Sequence, residues 1–213
     1  MAKIPQGILG GLRGRVGNIV GAAWKGINYI RSMPLSVANP NTTAQQAQRG
    51  AFTQTVLTAR LLLSDLIATY WDPFARLMSG YNHFISVNIS AFNTAGLQTP
   101  SLFASGRGIL TGLEDLGVVS SASISNHSFT WADNSGTGDA LGTDEARLLI
   151  FNATQNYWIF KGTPGFGARA GLADNIPDPD FLPGDSIECY AFFTRPDISK
   201  ISDSTHFPVT AIA

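Results

Sequence analysis

The sequence predicts an α+β protein in three parts, and three observations carry that reading. Apolar residues recur at three- and four-residue spacing between about 44 and 91. After Pro100 they switch to short runs separated by Gly, Asp, Asn and Pro. Glycine is concentrated at the start, with seven residues before Ile27. Charge is partitioned as well. Through Arg107 the chain has nine Lys or Arg and two acids, Asp65 and Asp72; from Gly108 onward it has thirteen acids and five Lys or Arg. A front half of +7 and a back half of −8 hide inside a formal charge of −1. Such asymmetry speaks to partners rather than to fold.

Residues 1–34 are predicted to be a basic β-hairpin arm. Lys3, Arg13, Arg15, Lys25 and Arg31 occur there without any acid. Two short strands are expected, 16–24 and 27–33, around Lys25-Gly26. Ile27, Tyr29 and Arg31 alternate with Asn28, Ile30 and Ser32, so both faces carry apolar groups and both want cover. The glycines remove side chains and raise the ordering cost. The arm is therefore expected to order by docking, on the rest of the chain or on a neighbour.

Residues 35–100 are predicted to form a helical hairpin. Asn39-Pro40-Asn41-Thr42 is turn chemistry, and Thr42 or Thr43 can cap the helix that follows. Phe52, Val56, Ala59, Leu63, Leu66, Ile67 and Tyr70 give one helix over 44–70. Asp72-Pro73 breaks it. A second helix is expected over 73–91, with Gly80 its weak point.

Residues 101–213 are predicted to be all-β. Seven strands are expected, at 105–110, 123–131, 146–152, 157–163, 168–172, 186–194 and 209–212. That count, with turn signals between, fits a β-sandwich of immunoglobulin or fibronectin type, although no Cys–Trp–Cys signature is present. This part is expected to fold alone without metal. Trp131 and Trp158 should fill its core, and the loop over 174–185 should stay at the surface.

Composition narrows the function classes. Charged residues are 14% of the 213, against about 25% in ordinary domains, while 44% are hydrophobic. That balance suggests apolar surface buried against partners. The single cysteine, Cys189, excludes an intrachain disulfide framework and is expected to be an inert buried thiol. Met1-Ala2-Lys3-Ile4-Pro5 does not open a secretory signal. No apolar run approaches the roughly 18 to 20 residues of a membrane span. A cytoplasmic location is expected.

No constellation identifies a reaction. Gly7-Ile8-Leu9-Gly10-Gly11-Leu12-Arg13-Gly14 lacks the Gly-Lys-Ser/Thr ending of a P-loop. Asp174, Asp178, Asp180 and Asp185 offer oxygen ligands but read as a solvated, Pro-stiffened loop rather than a Ca²⁺ site. Asp133 to Asp139 reads as a hairpin loop. His83, His127 and His206 have no ligand spacing, and no Gly-x-Ser-x-Gly elbow occurs. No enzyme activity, cofactor or metal is expected. The best functional candidates are Arg13, Arg15, Lys25 and Arg31, interleaved with Trp24 and Tyr29. Cations contact phosphates and aromatic rings stack on bases, so nucleic acid is one partner. An acidic neighbour of the same sequence is the other, and is favoured because the chain encodes that acidic surface itself.

One ordered series of motifs resembles a known family. It runs Val16-Gly17-Asn18-Ile19-Val20-Gly21, Trp24-Lys25-Gly26 and Tyr29-Ile30-Arg31-Ser32-x-Pro34. It continues with Asn41-Thr42-x-x-Gln45-x-x-Gln48-Arg49-x-x-Phe52, Asn82-x-Phe84-x-x-x-Asn88, the stretch from Ser105 to Leu110, and Phe129-x-Trp131. The series is similar to an uncharacterised family, a domain of unknown function, frequent in Bacteroidota genomes and met in a phage setting. The Thr-x-x-Gln-x-x-Gln-Arg helix also resembles proteins encoded near phage structural genes. The resemblance implies a virion or prophage setting and supplies no catalytic residues. The chain is thus expected to be a non-enzymatic structural protein that pairs with itself and with other particle proteins. A nucleic-acid-binding protein and an exported surface adhesin are the alternatives.

Overall fold

The computed structural model describes residues 11–36, 39–121, 126–162 and 167–212. The chain divides into two compact units, Met1–Thr42 and Thr43–Ala213.

The first unit is a three-stranded antiparallel meander of β1 (Gly14–Val16), β2 (Ile19–Trp24) and β3 (Ile27–Ser32). The expected strand over 16–24 is interrupted at Gly17-Asn18, which adds a third strand to the hairpin. Lys25 and Gly26 join β2 to β3 with φ of 49° and 82°. Two positive φ values in a two-residue loop match the twist of the flanking strands. Gly21 is required by packing, because a Cβ there would stand 2.2 Å from the carbonyl oxygen of Leu12.

The second unit opens with α1 (Thr43–Leu61), a π turn (Leu63–Ile67) and α2 (Ala68–Tyr70). The expected first helix is therefore present but carries a bulge. Both Leu66 and Ile67 donate their N–H groups to the Leu62 carbonyl, at 3.1 and 3.0 Å. The expected second helix is shorter than 73–91. A 3₁₀ turn (Asp72–Phe74) gives way to extended backbone at Ala75, and α3 (Gly80–Asn88) starts only after Ser79. Ser79 Oγ caps it by accepting from Asn82 N at 3.3 Å. Gly80 is the first residue of this helix rather than a weak point inside it. Its N–H donates to Asp72 Oδ1 at 2.5 Å, and a Cβ there would stand 2.4 Å from Asp72 N.

Among the described residues seven strands follow: β4 (Gly117–Ser121), β5 (Asn126–Thr130), β6 (Glu145–Asn152), β7 (Tyr157–Lys161), β8 (Ala173–Pro177), β9 (Ser186–Thr194) and β10 (Thr205–Thr210). They form two antiparallel sheets, β4-β5-β8 and β10-β9-β6-β7. The sheets pack face to face as an immunoglobulin-like sandwich. Its fourth strand, β7, pairs with the third, whereas in constant-type immunoglobulin domains that strand joins the other sheet. Two expected strands are absent. Residues 105–110 contribute a single bridge, Leu110 to Ser202. Residues 168–172 form a 3₁₀ turn ending at Leu172 with φ 66°, because Arg169 is drawn into the interior there. The strand comes next instead, as β8, within the segment expected to be a surface loop. Residues 123–125 of the expected strand over 123–131 lie outside the described residues.

The sandwich core holds Val118, Phe129 and Ile176 from one sheet against Leu148, Ile150, Ile187, Cys189 and Phe193 from the other, with Trp131. The opposite face of β6 and β9 presents Leu149, Tyr190 and Phe192 to Leu62, Leu66, Tyr70, Trp71, Phe84 and Phe103. Trp158 packs on that side too, against Phe103, and not in the inter-sheet core. Helices, four-stranded sheet and three-stranded sheet are thus three layers. This explains why β6 and β9 are near-continuous apolar runs. Helical hairpin and sandwich, expected as separate domains, share a core. Polar pins fix them together. Tyr70 OH donates to Gly162 O and accepts from Arg147 Nε, both at 2.7 Å. Trp71 Nε1 donates to Ser105 O at 3.0 Å. Buried Asn88 accepts from Ala104 N at 2.7 Å and donates to Ala104 O at 3.1 Å.

Candidate assembly surface

The register of the N-terminal sheet sorts its side chains onto two faces. Arg15 lies opposite Val20 and Val20 opposite Arg31, while Ala22 faces Tyr29 and Trp24 faces Ile27. Cross-strand partners share a face, and so do alternate residues along a strand. One face therefore gathers Arg15, Arg31, Tyr29, Trp24 and Ile27, most of the candidates singled out by sequence. Trp24, Ile27 and Tyr29 line a shallow hollow of about 400 Å³. Lys25 stands in the adjoining turn with Nζ 4.8 Å from the Trp24 ring centroid. Arg15 Nε donates to Gly17 O at 3.1 Å, and Arg13, one residue before β1, is exposed. The other face carries Val16, Ile19 and Ile30.

Exposure decides what this sheet is. Trp24 is 65%, Ile27 67%, Ile30 65% and Val16 54% exposed. Large apolar side chains are thus open on both faces of a sheet whose sole well-buried residue is Gly21.

The remaining candidates resolve into structural networks. Ser120 and His127, on the paired strands β4 and β5, meet Asp178 from 51 residues further along the chain. His127 Nδ1 is 2.7 Å from Ser120 Oγ, and His127 Nε2 is 3.1 Å from Asp178 Oδ2. Tyr157 OH donates to the same carboxylate oxygen at 2.6 Å, and Asp180 N donates to Asp178 Oδ1 at 3.0 Å. Sequence reading had no signal for this Ser–His–Asp chain, since β4, β5 and the start of the β8–β9 connection supply one member each. Ser120, His127 and Asp178 are at most 1% exposed, so the hydroxyl is closed to solvent. Burial lowers the His127 pKa, opposed by the Asp178 carboxylate. A neutral ring with Nε2–H toward Asp178 lets Nδ1 accept from Ser120, and every polar atom is then satisfied. Burial, with the Asp178 carboxylate beside it, raises the Tyr157 phenol well above its ordinary value.

The aspartate stretch is correspondingly not a solvated loop. Asp178 and Asp185 are buried. Asp185 accepts from Asn152 Nδ2 at 2.8 Å, Gln155 Nε2 at 2.7 Å and Leu182 N at 3.0 Å. Burial would raise its pKa, but these donors outweigh it and the net shift is downward. The Asp133 to Asp139 segment is not a hairpin loop either, because β5 and β6 lie in different sheets. It is pinned by Arg169, which is fully buried and donates to Asn134 Oδ1, to Asp144 Oδ2 at 3.2 Å and to Thr111 O at 2.7 Å. Its guanidinium carbon lies 3.9 Å from the Phe193 ring centroid. Cys189 is buried between the sheets, and burial raises its thiol pKa. Among the described residues, no group of three or more His, Cys, Asp or Glu is placed to hold a metal ion, and no helix is long and apolar enough to cross a membrane.

These features define a class: an α+β chain with two units, a basic, two-faced apolar sheet and a helix-backed immunoglobulin-like sandwich. The chain belongs to the family of unknown function DUF6266, whose profile matches residues 11–208. Among solved structures, a fibronectin-type-III-like protein from Clostridium thermocellum matches with 13% identity and a TM-score of 0.32, over 48% of this chain and 94% of that one. No curated protein matches the chain.

Proposed function

We propose that this is a non-enzymatic structural protein that assembles with copies of itself through its N-terminal sheet. The observation that carries the reading is the exposure of large apolar residues on both faces of that sheet. A surface of this kind in water is driven to find cover. Charge supports a second copy as the cover. Residues 1–42 hold five Lys or Arg and no acid, whereas residues 43–213 hold nine Lys or Arg and fifteen acids. A repeated place in a phage or phage-like particle is the setting we propose, together with other particle proteins as neighbours. It rests on the resemblance of the Thr42, Gln45, Gln48 and Arg49 series, which begins one residue before α1 and continues on it.

A second reading has its own observation. The face carrying Arg15, Trp24, Tyr29 and Arg31 has the cations and rings that bind single-stranded nucleic acid. Nucleic acid would leave the Val16, Ile19 and Ile30 face uncovered, so assembly is preferred. Size-exclusion chromatography with light scattering of the full chain and of one lacking residues 1–42 separates the readings. The full chain should be oligomeric and the truncated chain monomeric and folded. An unchanged mass after truncation refutes assembly through the sheet. Tight, salt-dependent DNA binding by a monomeric full chain that disappears in an Arg15→Ala, Arg31→Ala variant establishes the second reading.

A further inference from the structure

A groove of about 410 Å³ opens in the second unit where the turn after α2 meets the segments around Arg107 and Lys200. Its apolar wall includes Phe74, Ile109 and Ile201, and its polar rim includes Arg76, Arg107 and Lys200. The gathering of three cations is notable because this unit is acidic as a whole. The three are engaged to different degrees. Lys200 Nζ is committed to Asp139 Oδ2 at 2.9 Å. Arg107 reaches Asp203 only at 3.8 Å, with both side chains exposed, a pair of little strength. Arg76 makes no ion pair among the described residues. His83 also lines the groove, and its Nδ1 is buried without a hydrogen-bond partner.

We propose that this groove binds a small organic anion, with a carboxylate or phosphate head held by Arg76 and Arg107 and an apolar body laid against Phe74, Ile109 and Ile201. The argument is chemical. A guanidinium presents paired N–H donors that match either head group, and two arginines line this groove with weak or no competition from the chain's own acids. The volume lies at the small end of ordinary ligand sites, which suits one ring or a short chain rather than a nucleotide. Lys200, held by Asp139, contributes field rather than contact. This site is remote in sequence from the N-terminal sheet.

Isothermal titration of the full chain with benzoate, phenylphosphate, inorganic phosphate and benzyl alcohol tests the proposal. The two phenyl anions should bind saturably and more tightly than inorganic phosphate or the neutral alcohol. The heads distinguish the source, since preference for phenylphosphate points to phosphate esters and preference for benzoate to carboxylates. Arg76→Ala should weaken binding of the preferred anion by about tenfold or more, the loss expected of a charge-assisted hydrogen bond. Arg107→Ala should do the same. Both arginines are exposed, so unchanged thermal melts will show that the variants fold. Absence of saturable binding in the wild type overturns the proposal. So does equal binding of the alcohol, or of inorganic phosphate alone, or undiminished binding by an Arg76→Ala, Arg107→Ala chain.

Discussion

At the scale of single residues, the buried histidine is the most consequential feature that the sequence left unread. His127 sits in a strand, but its partner Asp178 is 51 positions away. Spacing rules act over a few residues and cannot see such a pair. Its pKa is lowered in the fold, so the unfolded chain binds the extra proton more readily. Stability from this group is therefore full above the ordinary value near 6.5 and falls as pH drops below it toward the folded pKa. Urea unfolding at pH 7.5 and pH 5 should show a loss of stability that a His127→Gln variant largely lacks. An identical pH slope in the variant would assign the effect elsewhere. Asp178→Ala strips the His127 and Tyr157 donors of their acceptor in a dry site. It should destabilise by about 2 to 4 kcal/mol, read from denaturant midpoints.

At the scale of elements, local chemistry was legible wherever it acted locally. Lys25-Gly26 marked the β2–β3 turn, and the apolar period marked α1. The errors fell where a distant group decided the backbone. Gly80 looks like a flaw in a helix, yet it is the residue that lets α3 start against Asp72. A glycine-to-alanine change at an ordinary helix position gains about 1 kcal/mol. Gly80→Ala should instead lower the melting temperature, because its Cβ would stand 2.4 Å from the Asp72 backbone nitrogen, which cannot swing aside as a side chain could. A rise in melting temperature would show that the chain relaxes there. The segment over 168–172 has the composition of a strand, but burying the Arg169 guanidinium against Asp144, Asn134 and Phe193 bends it into a turn and shifts the strand to Ala173–Pro177.

At the scale of the molecule, the helices cover the outer face of the four-stranded sheet. A fragment of residues 105–213 exposes Leu149, Tyr190 and Phe192, so it should aggregate or melt well below a fragment of residues 43–213. Comparing the two by light scattering and circular dichroism checks this; equal melting temperatures would mean that the hairpin lends the sandwich nothing. If the basic sheet meets an acidic neighbour, the oligomer should also loosen as salt rises from 50 mM to 500 mM, by about the factor that screening of exposed charges allows. Sequence alone determined the α+β class, the helical pair, the sandwich and the basic arm. Each of these follows from hydrophobic period, turn residues and charge, properties of neighbours along the chain. Tertiary structure alone decided that hairpin and sandwich share one core, that Asp178 and Asp185 are internal, and that Arg15, Trp24, Tyr29 and Arg31 stand on one face of the arm. Those outcomes depend on which surfaces meet and in what register, and pairing between distant strands is written in no local spacing.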